Sequence, residues 1–222
     1  MDQLSIRLQM VYDFIDKDRA SKGRVIDVGS DHGLLALSCL TTNLTPFCIC
    51  TDIHKMPAER TRQCLEEASM EERSEVFCTD GLKGVKLNAF DSVIMAGLGG
   101  NTTVDIITEA LESNSEDILK EVDFILQPQK SADRLRVFLC ENGFEIVDET
   151  VSKDRDFYYV CIKTRFTGIK NSISSKEKFY GPKLLLKDEP IGEEYFAHLT
   201  DVYKVRSRGD EELKALLEEM NV

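Results

Sequence analysis

The sequence predicts a doubly wound α/β sheet, mostly parallel, closed by an antiparallel hairpin and followed by a small helical appendage. Three observations carry this expectation. Short apolar runs alternate with helix-period stretches from residue 25 to residue 141, the pattern of a parallel sheet with crossover helices. The first of those runs, Val25-Ile26-Asp27-Val28, gives way to Gly29-Ser30-Asp31-His32-Gly33, a tight glycine-containing turn of the kind that opens a nucleotide-cofactor pocket. Two strand-like runs, 144–150 and 157–165, then face each other across the polar turn 152–156, which makes an antiparallel pair at the end of the sheet.

Taken in order, residues 4–15 place Leu4, Leu8, Val11, Tyr12 and Ile15 at helical spacing, with Arg7 on another face. Lys22-Gly23 ends that approach, 25–28 is the first strand, and 34–40 is the first crossover helix. Residues 47–51 form the second strand, closed by Asp52, and Pro57 suits the first turn of the helix that runs on to Ser69. The third strand, 76–79, is closed by Asp80-Gly81; the fourth, 90–96, by Gly97-Leu98-Gly99-Gly100. A helix is expected over 103–111. The fifth strand, 124–126, is closed by Gln127-Pro128-Gln129, and the helix 132–141 is stopped by Asn142-Gly143. Beyond the hairpin, 168–178 is polar and reads as a linker. The stretch 180–222 is acidic, with amphipathic helix signals at 193–205 and 210–220. The expected division is a sheet domain over 1–166 and a linker with a short helical extension over 167–222.

Composition bounds the function. A chain of 222 residues with 42% hydrophobic and 31% charged residues is long enough for one domain with a sizeable core. No uninterrupted apolar run approaches the ~20 residues of a membrane helix. Met1-Asp2-Gln3 is followed by no apolar signal core, so a cytoplasmic protein without membrane association is expected; the oligomeric state stays open, with a monomer favoured. The seven cysteines are odd in number and form no Cys-x-x-Cys, which fits reduced, buried thiols. His32, His54 and His198 have no ligand spacing, so no metal site is expected. The net charge of −12 argues against a broadly basic surface, though not against a local patch. Half of that excess lies between residues 103 and 124, with seven acids and one lysine. It reads as a solvated helix face far from any polyanion.

The chemistry collects where strands end, because ligands of an open α/β sheet sit at the carboxyl edge. One aspartate at a strand end is an ordinary turn or helix cap. Asp27-x-Gly29-x-Asp31-x-Gly33, Asp52, Asp80-Gly81 and Gly97-x-Gly99-Gly100 form a register of four. A dinucleotide would bring a pyrophosphate to the first turn, and its fingerprint wants glycine where this chain has Asp31 and Leu34. S-adenosylmethionine (SAM) carries an ammonium and a sulfonium and no phosphate, so an acidic turn suits it. On that reading Gly29, Ser30, Gly33 and Gly97 give the backbone close approach. Asp27 and Asp31 face the cationic groups. Asp52 takes the ribose hydroxyls, Ile53 packs on adenine, and Asp80 beside Gly81 accepts from the adenine amine. His32 has two readings, contact with an incoming base or a cap on the first helical turn.

With these residues in place the chain resembles the bacterial SAM-dependent tRNA (adenine-N1)-methyltransferases of the TrmK type, which modify adenine 22. The matching pieces are Leu4-Ser5-Ile6-Arg7-Leu8, Gly29-Ser30-Asp31-His32, Asp80-Gly81-Leu82, Gly97-Leu98-Gly99-Gly100, Leu126-Gln127-Pro128, Glu141-Asn142-Gly143-Phe144 and Tyr180-Gly181-Pro182. Three departures are visible: Leu34 where the family has a bulky aromatic, Gln129 where it has asparagine, and a shorter helical C-terminal part. The resemblance implies a Rossmann-like class I methyltransferase sheet, SAM as cofactor and tRNA as partner. It implies catalytic work for Asp31, His32 and Gln127. Substrate contacts fall to Arg7, Gly99, Gly100, Pro128, Gln129 and Lys130. Lys55, Arg60, Arg62, Arg134 and Arg136 are further phosphate-binding candidates, each equally readable as a solvated helix residue. The alternative is a SAM-dependent enzyme for a small molecule or a protein, which the net charge favours. A nicotinamide-dependent dehydrogenase would want glycine at position 31 and no closing hairpin. A catalytically dead binding module would not keep the full set of carboxylates.

Overall fold

In the computed structural model, which describes residues 4–221, the chain opens on α1 (Ile6–Asp13), whose first turn is capped by the Ser5 hydroxyl. The acidic opening Met1-Asp2-Gln3, read above for an export signal, lies outside those residues. A single turn, α2 (Lys17–Ala20), leads into β1 (Arg24–Val28) and α3 (Leu34–Thr41). Then follow β2 (Phe47–Asp52), α4 (Lys55–Glu67), β3 (Ser74–Cys78), β4 (Ser92–Leu98) and α5 (Gly100–Ser113). After the short α6 (Glu116–Leu119) come β5 (Asp123–Pro128), α7 (Ala132–Glu141), and the hairpin β6 (Phe144–Asp154) and β7 (Phe157–Phe166). The C-terminal part holds α8 (Ser175–Tyr180), α9 (Pro190–Arg206) and α10 (Glu211–Glu219).

The seven strands form one sheet in the order β3-β2-β1-β4-β5-β7-β6. β1 to β5 are parallel, and β7 joins β5 antiparallel. This is the expected doubly wound sheet with its closing hairpin. β5 is buried along its whole length and β2 everywhere but its first residue, because helices cover both faces; such strands read as continuous apolar runs. β6 alternates buried and exposed residues over its first half, the mark of a strand with one solvated face. Alternate residues feed two cores. Ile26, Val93, Met95, Phe124 and Leu126 point to one face; Val25, Ile94 and Ile125 point to the other.

Three local expectations change. The polar stretch read as a linker contains α8, started by a capping box in which Ser174 and Glu177 satisfy each other's backbone. The acidic run of 103–124 is not one solvated face, since Asp123 is buried and paired with Arg19 and Arg165. Its other acids lie on α5, on α6 and in the loop between α6 and β5. Arg136 is neither solvated nor a phosphate ligand. It is 1% exposed and its Nε donates to Glu149 at 2.7 Å.

That ion pair ties the C-terminal helices to the sheet. Arg136 on α7 also donates to the carbonyl of Lys178, and Glu149 on β6 accepts from the backbone N–H of Lys183. The chain crosses between these points at Gly181 (φ 97°), where a Cβ would lie 2.8 Å from Glu149 and 2.9 Å from Arg136. Only glycine fits there. Phe179, Tyr180, Tyr203, Leu213, Leu216 and Leu217 then close a third, smaller core.

Candidate active site

The strand order reverses between β1 and β4, with β2 and β3 wound to one side and β5 to the other. A crevice opens at the carboxyl ends of such a switch point. Here it has two lobes that share Gly29 and Leu98. One is a cavity of about 320 Å³ lined by Arg7, Asp27, Asp31, His32 and Gln129 among others. The other, of about 250 Å³, is lined by Asp52, Ile53, Asp80, Gly81 and Ile106.

The loop after β1 divides them. Gly29 (φ 76°) and Gly33 (φ 70°) take the left-handed conformation, and so does Asp31 (φ 52°), a residue type that tolerates it. The N–H groups of Gly29 and Ser30 donate to the Thr51 carbonyl on β2, and Ser30 Oγ meets Thr61 Oγ1 at 3.1 Å. A Cβ on Gly33 would lie 2.9 Å from Thr61, and one on Gly29 would lie 3.1 Å from Leu98. The turn is therefore fixed against α4 on one side and the end of β4 on the other. Gly97 (φ 83°) sits in a register shift of β4 against β5, a bulge that turns Leu98 into the crevice.

Asp27 is the electrostatic centre of the first lobe. It is 4% exposed, its carboxylate lines the cavity, and no described residue donates a hydrogen bond to it. Burial pushes its pKa up to about 7; Arg7 pulls it down and Asp52 pushes it further up. Arg7 reaches in from α1. Its Nη1 donates to Gln127 Oε1 at 2.8 Å, and a Cβ on Gly97 would lie 3.1 Å from that nitrogen. Arg7 thus lies inside the cavity rather than on an outer phosphate-facing surface. Gln127 is wholly buried, and its Nε2 donates to the Pro128 carbonyl at 3.2 Å. Both ends of its amide are engaged, so Gln129 is the glutamine that faces the cavity.

Asp52, 8% exposed at the end of β2, accepts from the N–H of His54 at 2.9 Å and more weakly from that of Asp31 at 3.4 Å. Ile53 is 60% exposed beside it. Asp80 pairs with Lys83 at 2.6 Å. Asp31 is exposed at the mouth, held by Arg60 at 2.7 Å, with His32 Nε2 at 3.6 Å. His32 does not cap α3; the cap position is Gly33, without a side-chain bond. Gly99 caps α5, and Gly100 packs so closely on the 130–131 backbone that a Cβ would meet two carbonyl oxygens within 2.9 Å. Gly100 serves loop packing, while Gly99 stands open beside Lys130. Among the described residues no group of three or more His, Cys, Asp or Glu side chains is placed to hold a metal ion, and no helix is long and apolar enough to cross a membrane.

The arrangement fits SAM and does not fit a dinucleotide. A buried carboxylate with no donor among the described residues, opening on a cavity, suits an ammonium. A second carboxylate with free lone pairs beside an apolar wall suits a ribose and a purine. An acidic glycine turn repels a pyrophosphate.

Comparison with known proteins agrees. Residues 4–162 match the family described as a methyltransferase domain. The tRNA (adenine(22)-N(1))-methyltransferase of Bacillus subtilis (strain 168) is 26% identical over 161 residues, which cover 72% of this chain and 64% of that protein. Among solved structures, the B. subtilis m1A22 tRNA methyltransferase TrmK gives a TM-score of 0.80 at 21% identity, covering 99% of this chain and 96% of that one. M. capricolum TrmK in complex with S-adenosyl-homocysteine gives 0.76 at 20% identity, over 99% and 96%.

Proposed function

Because the chain belongs to the methyltransferase-domain family, we propose that it transfers a methyl group from SAM to N1 of an adenine in tRNA, position 22 by likeness to its B. subtilis relative. It would act in the cytoplasm, where its substrate is. The observation that carries the cofactor half is Asp27, buried, facing the cavity and without a hydrogen-bond donor among the described residues. The relative's substrate supports the RNA half.

When bound, SAM supplies an electrophilic methyl on a sulfonium. The residues here do the rest. Asp27 holds the methionine ammonium and Arg7 the methionine carboxylate, with Gln127 fixing the Arg7 guanidinium. Asp52 takes the ribose hydroxyls, Ile53 covers one face of the adenine ring, and Asp80 accepts from its amine. The backbone of Gly29, Ser30, Gly33, Gly81 and Gly97 shapes the crevice around them.

N1 of the target adenine has a lone pair at neutral pH, so no strong base is needed. The product is cationic. The chain's contribution is therefore orientation, for which an ideal arrangement is worth roughly 7–11 kcal/mol, and an acceptor-rich mouth where positive charge develops. Asp31 and His32 stand at that mouth, and Gln129, Pro128, Lys130 and Gly99 border it on the β5 side. The adenine must leave its stack, at a cost of a few kcal/mol. On this reading the sheet domain over 1–166 carries the transfer and the extension over 167–222 serves the RNA.

The test is methylation of unmodified tRNA transcripts with labelled SAM, followed by mapping of the modified base. A single 1-methyladenosine at position 22 is expected. Absence of product on every tRNA, with SAM bound, overturns the substrate assignment.

A further inference from the structure

An acidic chain that binds RNA needs a local cationic surface, since phosphate contacts supply most of the affinity. The structure removes most of the obvious donors. Arg136 is buried against Glu149, Arg62 is spent on Glu59 and the Val76 carbonyl, Arg60 pairs with Asp31, and Arg7 points at Gln127. Lys55, at the start of α4, lies across β1 from the loop that follows β5.

On the β5 side the cations collect. Lys130 is exposed in the loop after β5, next to Gln129 at the cavity, and its stem lies beside Gly99. Arg134, exposed, is on the first turn of α7. The neighbouring Asp133 is bonded by Arg206 at 3.3 Å, and Arg206 lies over the Tyr203 ring at 5.5 Å. This contact pins the end of α9 to the start of α7. The 3-10 turn Ser207–Gly209 follows directly; Arg208 and, four residues back, Lys204 flank Arg206 within one helical turn of that contact and share one face of the helix end. Both are exposed, and among the described residues neither side chain has an ion-pair partner. Of the acids nearby, Asp133 is held by Arg206 and Asp210 caps Leu213, while Glu211 at the start of α10 is exposed. Asp201 is exposed one turn further back. The acids of α5 begin at Asp105 and run away from the mouth.

We propose that Lys130, Arg134, Lys204 and Arg208 form one phosphate-binding band, running from the cleft to the turn between α9 and α10, on which the RNA backbone docks. The proposal rests on the tRNA reading above and assigns its docking side. Arg206 is the fastener of this band rather than a ligand, because Asp133 already holds it. The band places the RNA over the β5 side of the mouth, next to Gln129, and leaves the Asp52 lobe uncovered.

The experiment is a binding and kinetic comparison of the full chain with the double variant Lys204→Glu/Arg208→Glu, using an unmodified tRNA transcript across a salt series. The double variant Lys17→Glu/Lys22→Glu, which reverses two exposed charges before β1 at the opposite edge of the sheet, matches the change in net charge. SAM affinity and melting temperature check the fold. Expected are a loss of tRNA affinity of about tenfold or more at ~0.1 M salt and a salt slope shallower by about two. KM for tRNA should rise with kcat at saturating tRNA unchanged. An unchanged affinity and slope in Lys204→Glu/Arg208→Glu, or an equal loss in Lys17→Glu/Lys22→Glu, overturns the band while the methyltransferase reading stands. A wild-type chain that binds SAM but neither binds nor methylates tRNA overturns the reading beneath it as well.

Discussion

Asp27 and Glu149 are both buried carboxylates, and the fold treats them in opposite ways. Glu149 is surrounded. It accepts from Arg136 Nε at 2.7 Å and from the Lys183 N–H at 2.9 Å, and its own carbonyl takes Lys187 Nζ. Among the described residues none donates a hydrogen bond to Asp27, and Arg7, the cation that acts on it, is held elsewhere by Gln127. A charge whose partners are all built in fastens two parts of the chain. A charge left without one is destabilising by itself and available to a ligand cation. The difference separates the tie of the C-terminal helices from the cofactor site without reference to any relative.

The largest expected effect breaks the tie. Arg136→Ala strands Glu149 in the interior and should cost about 3–5 kcal/mol. For a chain of this size that is a fall in melting temperature of roughly 6–20 °C. Calorimetry checks it, and a shift under 2 °C would mean the pair is not the fastener. Arg136→Met with Glu149→Leu should recover much of the loss, since replacing both members removes the unpaired charge.

Asp27→Asn gives the contrasting result. SAM affinity should fall about ten- to a hundredfold, the worth of one charge-assisted bond, while the melting temperature of the SAM-free protein stays level or rises. A protein that loses stability instead places Asp27 with Glu149 and erases the distinction.

The pH dependence of SAM binding sharpens the same contrast. Burial raises the Asp27 pKa to about 7, against the downward pull of Arg7 and with a further push from Asp52. The folded chain therefore holds this proton more tightly than the unfolded chain, whose carboxyl titrates near 3.8. Asp27 then stabilises the SAM-free fold least at high pH; its contribution declines from about pH 4 to about pH 7 and levels off above. An ammonium is bound by the ionised form, so SAM affinity should rise up to tenfold per pH unit below about 7 and flatten above it. Titration calorimetry from pH 5.5 to 8.5 measures this. In Asp27→Asn the slope should vanish, and a slope that survives there belongs to another group.

Much of this was legible in the sequence, and the illegible part has a common cause. β1, β2 and β5 are visible because strands covered on both faces must be continuously apolar. Asp27, Asp52 and Asp80 are visible because a parallel sheet brings the ends of its strands to one edge. Gly181 and the pair beneath it are not visible, because Arg136 looks like any solvated helix cation until α8 covers it. The bond from Arg7 to Gln127 joins residues 120 positions apart, and no local period encodes it. α8 escaped because its start is a capping box in polar sequence, with only Phe179 and Tyr180 to anchor it.

The smallest expected effect lies in that bond, and it tests whether Asp27 is tuned or merely buried. Gln127→Leu removes the acceptor that holds Arg7 and leaves Asp27 untouched. Gln127 is fully buried and of similar volume to leucine, so no cavity forms, and the stability cost comes from the two partners of the lost amide. The Pro128 carbonyl loses its donor inside the protein, at about 1–3 kcal/mol, a fall in melting temperature of roughly 2–12 °C, and Arg7 Nη1 loses its acceptor at the cavity. SAM affinity should fall a few-fold, because Arg7 must be ordered again for each binding event. Arg7 also lowers the Asp27 pKa, so a guanidinium free to turn away lets that pKa rise, and the pH midpoint of SAM binding should move upward. Gln127→Glu supplies a stronger acceptor for Arg7 and should restore the affinity above the shifted midpoint. An affinity loss with an unmoved midpoint would mean that Gln127 supports the loop around Pro128 and that burial alone sets Asp27.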